Sequence, residues 1–181
     1  MSDCFSLAEK IGNGLANIGI KENDMVLELM YQRIEVPRNV NIKEYMLQIE
    51  PKLLILTPEY IKSFYEVCKQ LYSEKKLKAK QMILLPYPNG PEQDKKVLNE
   101  EFTNYYKELE IIIYKFDEII NLGEKTLYER KQINPENIAF IINSSGTSQT
   151  QLKSICLCHK NVIATCVINS VSIKMVVNIK Y

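Results

Sequence analysis

The strongest constraint on the fold is a series of short apolar runs separated by segments of helical period. Met25-Val26-Leu27-Glu28-Leu29-Met30, Leu53-Leu54-Ile55-Leu56, Met82-Ile83-Leu84-Leu85, Ile111-Ile112-Ile113-Tyr114 and Ile138-Ala139-Phe140-Ile141-Ile142 read as strands. Those that lack polar alternation have the pattern of strands buried on both faces. Between them, Leu7, Ile11, Leu15 and Ile18 share one helical face, which Gly12 and Gly14 weaken and Gly19 stops. Residues 31–42 have no clear period, and Pro37 breaks any regular element there. Tyr45, Met46 and Ile49 mark a short helix ending at Glu50-Pro51. Thr57-Pro58 predicts a helix start, a hydroxyl N-cap followed by Pro at the first helical position, with Ile61, Phe64, Tyr65, Cys68 and Leu71 facing inward as far as about Tyr72. Residues 97–108 have helical character, and a short helix from Phe116 to Leu122 is closed by Gly123. Strand alternating with helix is the rhythm of an α/β layer with a mostly parallel sheet flanked by helices.

Composition narrows the function classes. The chain has 181 residues, enough for one domain or one domain with an extension, and 46% are hydrophobic against 25% charged, as in a globular protein. Twenty-three Lys and Arg balance 22 Asp and Glu for a formal charge of +1, which argues against a nucleic-acid-gripping protein. Lys75, Lys76, Lys78 and Lys80 read as a solvated connector. Five cysteines, an odd number without framework spacing, fit a reducing cytoplasmic setting. The amino terminus lacks the pattern of a signal peptide. Residues 162–179 are apolar but interrupted by Asn169, Ser170, Ser172 and Lys174, so no transmembrane segment is expected, while contact with an intracellular membrane surface stays open. Cys156-Leu157-Cys158-His159 lacks the further ligands of a tetrahedral zinc site, and no metal site is assigned.

The stretch that carries chemistry runs from Ile138 to Asn161. Its apolar strand leads into Asn143-Ser144-Ser145-Gly146-Thr147-Ser148, and hydroxyls and a Gly at the carboxyl end of a parallel strand suit an anion. Lys153 supplies a positive charge a few residues on. There is no Walker A motif. The stretch resembles the signature of the adenylate-forming (AMP-binding) enzymes, and within them the long-chain fatty acyl-CoA synthetases, whose loop reads Y/F-T-S-G-T-T-G-x-P-K-G-V-x-L-S/T-H-x-N. Ser144-Ser145-Gly146-Thr147-Ser148 matches the T-S-G-T-T core. After a shift of one residue, Lys153-Ser154-Ile155-Cys156-Leu157-Cys158-His159-Lys160-Asn161 matches the remainder. Flanking pieces agree: the early helix and strand over 7–29, Glu50-Pro51-Lys52-Leu53-Leu54-Ile55-Leu56, the helix 116–123, and the lead-in Pro135-Glu136-Asn137-Ile138-Ala139. The likeness extends in order over most of 7–165.

The resemblance implies ATP-dependent ligation of a long-chain fatty acid to coenzyme A through an acyl-adenylate, with Mg2+, and an N-terminal part of the adenylate-forming domain over 1–169. Residues 170–181 are a tail without family likeness. It also implies Ser144, Ser145, Gly146, Thr147, Ser148 and Lys153 as phosphate contacts, fatty acid and nucleotide as partners, and a helix-starting, capping place for His159; catalytic residues are not assigned. Gln149 replaces the loop's second Gly, Leu152-Lys153-Ser154 replaces P-K-G, and Asn143 replaces the aromatic. The family's adenine, ribose, Mg2+ and acyl determinants lie further on than Tyr181, so the expectation for these 181 residues alone is little or no ligase activity. The alternative is a catalytically inactive fragment or paralogue that acts as a binding module.

Overall fold

The structure is a computed structural model that describes residues 2–29, 42–86, 100–125, 132–144 and 153–178. It divides into two compact units, Met1–Tyr128 and Glu129–Tyr181. The first contains α1 (Ser2–Asn17), β1 (Val26–Leu29), α2 (Ile42–Ile49), β2 (Leu53–Leu56), a 3-10 turn (Pro58–Tyr60) running into α3 (Ile61–Ser73), β3 (Gln81–Leu84), α4 (Glu100–Glu108), β4 (Ile112–Lys115) and α5 (Phe116–Lys125). The strands form one parallel sheet in the order β1-β2-β3-β4, with Val26 opposite Leu53, Leu53 opposite Gln81 and Gln81 opposite Ile112.

Sequential order has a geometric consequence. Crossovers of one hand that step in one direction leave all their helices on one face of the sheet. That face holds Leu27, Leu54, Leu56, Met82 and Leu84, packed against Met46 of α2, Ile61, Phe64, Cys68 and Leu71 of α3, and Tyr106 and Leu109 of α4. The other face must be covered by helices that are not crossovers. There Leu53, Ile83, Ile55 and Tyr114 meet Leu15 and Ile18 from the end of α1 and Phe116, Ile119 and Leu122 of α5. Both faces of β2 and β3 are thus dry, which is why their runs are apolar without alternation. The edge strands are not covered alike: Val26 and Ile112 are exposed.

Helices α1 and α5 touch backbone to backbone. A Cβ at Gly14 would lie 2.1 Å from the Ile119 carbonyl oxygen, and one at Gly123 would lie 1.7 Å from that of Lys10. The Asn17 amide donates to the Leu122 carbonyl at 3.2 Å, the Asn13 amide to that of Gly123 at 3.3 Å, and Lys10 pairs with Glu124 at 2.6 Å. Gly123 therefore lies inside α5 and does not close it, contrary to expectation, because the residue is selected for the space it leaves. Gly14 has the same role, whereas Gly12 faces open space.

Three helix ends share one device. Gly19, Lys75 and Glu110 have φ of 88°, 57° and 58°. The next amide closes back on the helix in each: Ile20 to Leu15, Lys76 to Leu71 and Ile111 to Tyr106. Only the first uses Gly, the residue free of a Cβ penalty in this region. The helix start at Thr57-Pro58 is present, but the Thr57 side chain makes no capping bond, and a 3-10 turn precedes the α-helix. Inside, the Tyr106 hydroxyl donates to the Ile61 carbonyl at 2.7 Å, tying α4 to the first turn of α3, and burial pushes its pKa upward. Burial likewise pushes the Cys68 thiol up to about 12, leaving it an unreactive apolar filler.

The second unit is a two-stranded antiparallel hairpin, β5 (Ile138–Ser144) and β6 (Lys153–Cys158), followed directly by the 20-residue helix α6 (His159–Asn178). Among the described residues no helix is long and apolar enough to cross a membrane.

Two measurements test the packing. Gly14→Ala and Gly123→Ala each lower unfolding stability by about 3 kcal/mol or more through overpacking against backbone, while Gly12→Ala on the open side of the same helix raises it by about 1 kcal/mol; urea unfolding curves read all three. Lys75→Gly relieves a left-handed non-glycine residue and raises stability by about 1 kcal/mol, visible as a higher Tm.

Candidate functional site

The hairpin brings together two of the residues that the sequence singles out. In the antiparallel ladder Ser144 is the register partner of Lys153, the last pair before the connection, with Asn143 opposite Ser154 and Ile142 opposite Ile155. Two such partners have Cα atoms about 4.5–5.5 Å apart. Residues nine apart in sequence therefore form the two posts of one short connection, 145–152. Ser145, Gly146, Thr147 and Ser148 fall on that connection and lie outside the described residues. The connection lacks proline, so each of its amides is a potential donor, and its side chains include the hydroxyls of Ser145, Thr147, Ser148 and Thr150.

One expectation is corrected. Strand β5 is not a member of the parallel sheet. Its partner among the described residues is β6, and the pair is antiparallel. Strands joined by a connection this short fold back on each other, since a parallel pair needs a crossover of a dozen residues or more. Among the described residues the parallel sheet has sequential strand order and so no switch point at which a ligand crevice opens beyond the carboxyl ends. A cleft of about 460 Å3 lined by Tyr72, Ser73, Lys75, Leu77 and Lys80 lies at the opposite, amino end of β3.

The hairpin also separates the connection from the helix that follows. From Lys153 to Cys158 the strand advances about 17 Å at its usual rise. The amino end of α6 thus lies at the far end of the hairpin, and a Walker-type arrangement, in which the loop opens straight into the helix, is excluded by the topology. The first amides of α6 already have partners: His159 N–H donates to the Asn137 carbonyl at 3.1 Å and Lys160 N–H to the Pro135 carbonyl at 3.0 Å. The Asn161 carboxamide oxygen accepts from the Cys158 N–H at 3.1 Å and from its thiol at 2.8 Å, the returning half of a capping box. Lys160 pairs with Glu136 at 2.5 Å, and this carboxylate raises the lysine's pKa. The lead-in turn is itself closed by Asn134, whose side chain accepts from Glu136 N–H at 3.0 Å.

Thus His159 does begin a helix, but Cys158 and Asn161 supply the cap. From sequence, Asn137 and Asn161 stand only as matches to the family pattern, and neither they nor Asn134 carry a capping role. The signal was present in the Asn-Pro-Glu-Asn turn and in an Asn at the third helical position, residue types that hydrogen-bond locally.

No family model matches the chain, and no curated protein matches it. Solved structures do. The chain is similar to the didomain of a carboxylic acid reductase from Segniliparus rugosus in complex with AMP, with a TM-score of 0.67 and 13% identity over 88% of this chain and 25% of that one. It is similar to the adenylation domain of a carboxylate reductase from Mycobacterium chelonae, with a TM-score of 0.68 and 13% identity over 86% of this chain and 27% of that one. A second Segniliparus rugosus adenylation domain, in complex with AMP and a co-purified carboxylic acid, gives 0.64 and 12% over 87% and 28%. The fold is that of part of an adenylation domain. The chain spans about a quarter of the length of the chains it matches. At this identity the likeness is one of fold.

The capping arrangement predicts that Asn161→Ala costs about 1 kcal/mol and speeds hydrogen exchange at the amide of Cys158 more than at amides of β2 or β3.

Proposed function

We propose that the chain is the amino-terminal part of an ATP-dependent, carboxylate-activating enzyme of the adenylate-forming kind, its partial domain extending over 1–169, and that the connection between Ser144 and Lys153 is where it holds the triphosphate of ATP. The observation that carries this reading is the hairpin register. It sets Lys153 opposite Ser144, so that a lysine stands at one foot of a connection whose sequence carries a run of hydroxyls, in a chain with an adenylation-type fold. Oriented amides and hydroxyls on such a turn hold phosphate oxygens, and the lysine offsets their charge.

The substrate class follows from the resemblance of residues 7–165 to long-chain fatty acyl-CoA synthetases. A fatty carboxylate attacks the α-phosphorus, pyrophosphate leaves, and the thiol of coenzyme A then displaces AMP from the acyl-adenylate. The contribution of this segment is placement and charge stabilisation of the β- and γ-phosphates. The magnesium ion belongs to the substrate complex. It would arrive with the nucleotide and help neutralise the phosphate charge there.

A specific observation favours a second reading, a binding module without ligase chemistry. Gln149 and Ser154 stand where the family has glycine, and a side chain at such positions resists the tight wrapping of backbone round phosphate.

ATP binding to the 181-residue chain, followed by titration calorimetry with Mg2+ present, tests the site. Lys153→Ala loses a charge-assisted contact of about 1.5–3 kcal/mol and weakens binding by about tenfold or more. Unchanged affinity in the variant overturns the assignment. Fatty-acid-dependent exchange of labelled pyrophosphate into ATP separates the two readings: exchange supports the ligase, and binding of ATP without exchange supports the module.

A further inference from the structure

We propose that Cys156 and Cys158 form a two-thiolate site for a soft monovalent cation of the copper(I) class at the junction of β6 and α6. This is independent of the nucleotide reading. Both residues lie on β6, and strand alternation places them on one face with Leu157 on the other. Cys156 is exposed, Cys158 is partly so, and both are free thiols.

Spacing decides what the pair can do. Residues two apart on a strand are separated by about 6.6 Å. A disulfide needs Cβ atoms about 3.5–4.5 Å apart, so this pair cannot close one without moving the backbone. A linear sulfur–metal–sulfur unit spans about 4.5 Å, taking metal–thiolate bonds of about 2.3 Å, and rotation of the two side chains covers the difference. Thiolates select soft d10 ions. Zinc would require four ligands in a tetrahedron, and among the described residues no group of three His, Cys, Asp or Glu converges. A two-coordinate ion has no such requirement.

The surroundings suit the charge. Two thiolates on a monovalent cation carry one net negative charge. The 20-residue helix α6 begins immediately after Cys158, presenting the positive end of its dipole; Lys160 on its first turn is already paired with Glu136 at 2.5 Å and adds no net charge. On binding, each thiol releases its proton to solvent as the sulfur–metal bond forms. The Cys158 thiol gives up its bond to Asn161, and the Cys158 amide keeps its own, so the helix cap survives metal loading.

The test is an anaerobic titration of the reduced full chain with copper(I), in competition with a chromogenic copper(I) chelator. One equivalent binds, and binding is lost in Cys156→Ser and in Cys158→Ser but kept in Cys4→Ser and Cys166→Ser. In the unmutated chain, copper(I) protects Cys156 and Cys158 from alkylation mapped by mass spectrometry and leaves Cys4 and Cys166 reactive. Retained binding in either of the first two variants, or alkylation of both residues at full loading, overturns the site. Stoichiometric zinc bound with comparable strength overturns the two-ligand geometry.

Discussion

The close crossing of α1 and α5 is the contact on which the first unit depends. The crossover helices α2, α3 and α4 cover one face of the sheet because the strands follow in sequential order. The opposite face would be wet without a pair of helices from the two ends of the unit. These helices meet at Gly14 and Gly123, where backbone approaches backbone so closely that no Cβ fits. The approach lets Leu15, Ile18, Ile119 and Leu122 all reach Leu53 and Ile83 on the sheet. Apolar burial is roughly proportional to the area removed from water, so two missing methyl groups at the crossing govern a much larger area on the face beneath.

Much of the first unit was legible because its signals are local and agree with one another. Runs such as Leu53-Leu54-Ile55-Leu56 are strands because both faces are covered, and the spacing of Ile61, Phe64, Cys68 and Leu71 is a helical stripe that is in fact buried. What escaped was set by tertiary contact. Gly14 looks like a helix weakener and Gly123 like a helix stop until the partner helix is seen. Lys75 and Glu110 close their helices in a left-handed conformation that their residue types do not announce. Thr57 has the residue type of a cap, yet the cap bond is absent and Pro58 alone marks the start.

In the second unit, the strand over Ile138–Ile142 was readable and the resemblance implied a helix starting at His159, but the strand runs on to Ser144 and its pairing was not readable. A Ser/Thr/Gly turn after an apolar strand reads the same whether the strand is parallel or antiparallel, because the side-chain period is two in either case. Pairing is decided by how soon the next strand arrives. Ile155, Cys156, Leu157 and Cys158 form the second arm, where the alternating cysteines suggest a strand but do not name its partner.

That pairing changes what kind of anion site the chain can offer. When a glycine-rich loop opens directly into a helix, the helix dipole and its first amides do much of the binding. Here β6 intervenes, and the amides at the start of α6 are consumed by the carbonyls of Pro135 and Asn137. A triphosphate held as proposed would therefore rely on the connection's own amides and hydroxyls and on Lys153, whose register place opposite Ser144 the ribbon sets. Such a ribbon fixes Ser144 and Lys153 in register, so the two residues that flank the connection are placed by strand pairing and not by a helix. In the proposed site the attraction would then come from charge, with Lys153 at the foot of the connection as its cation.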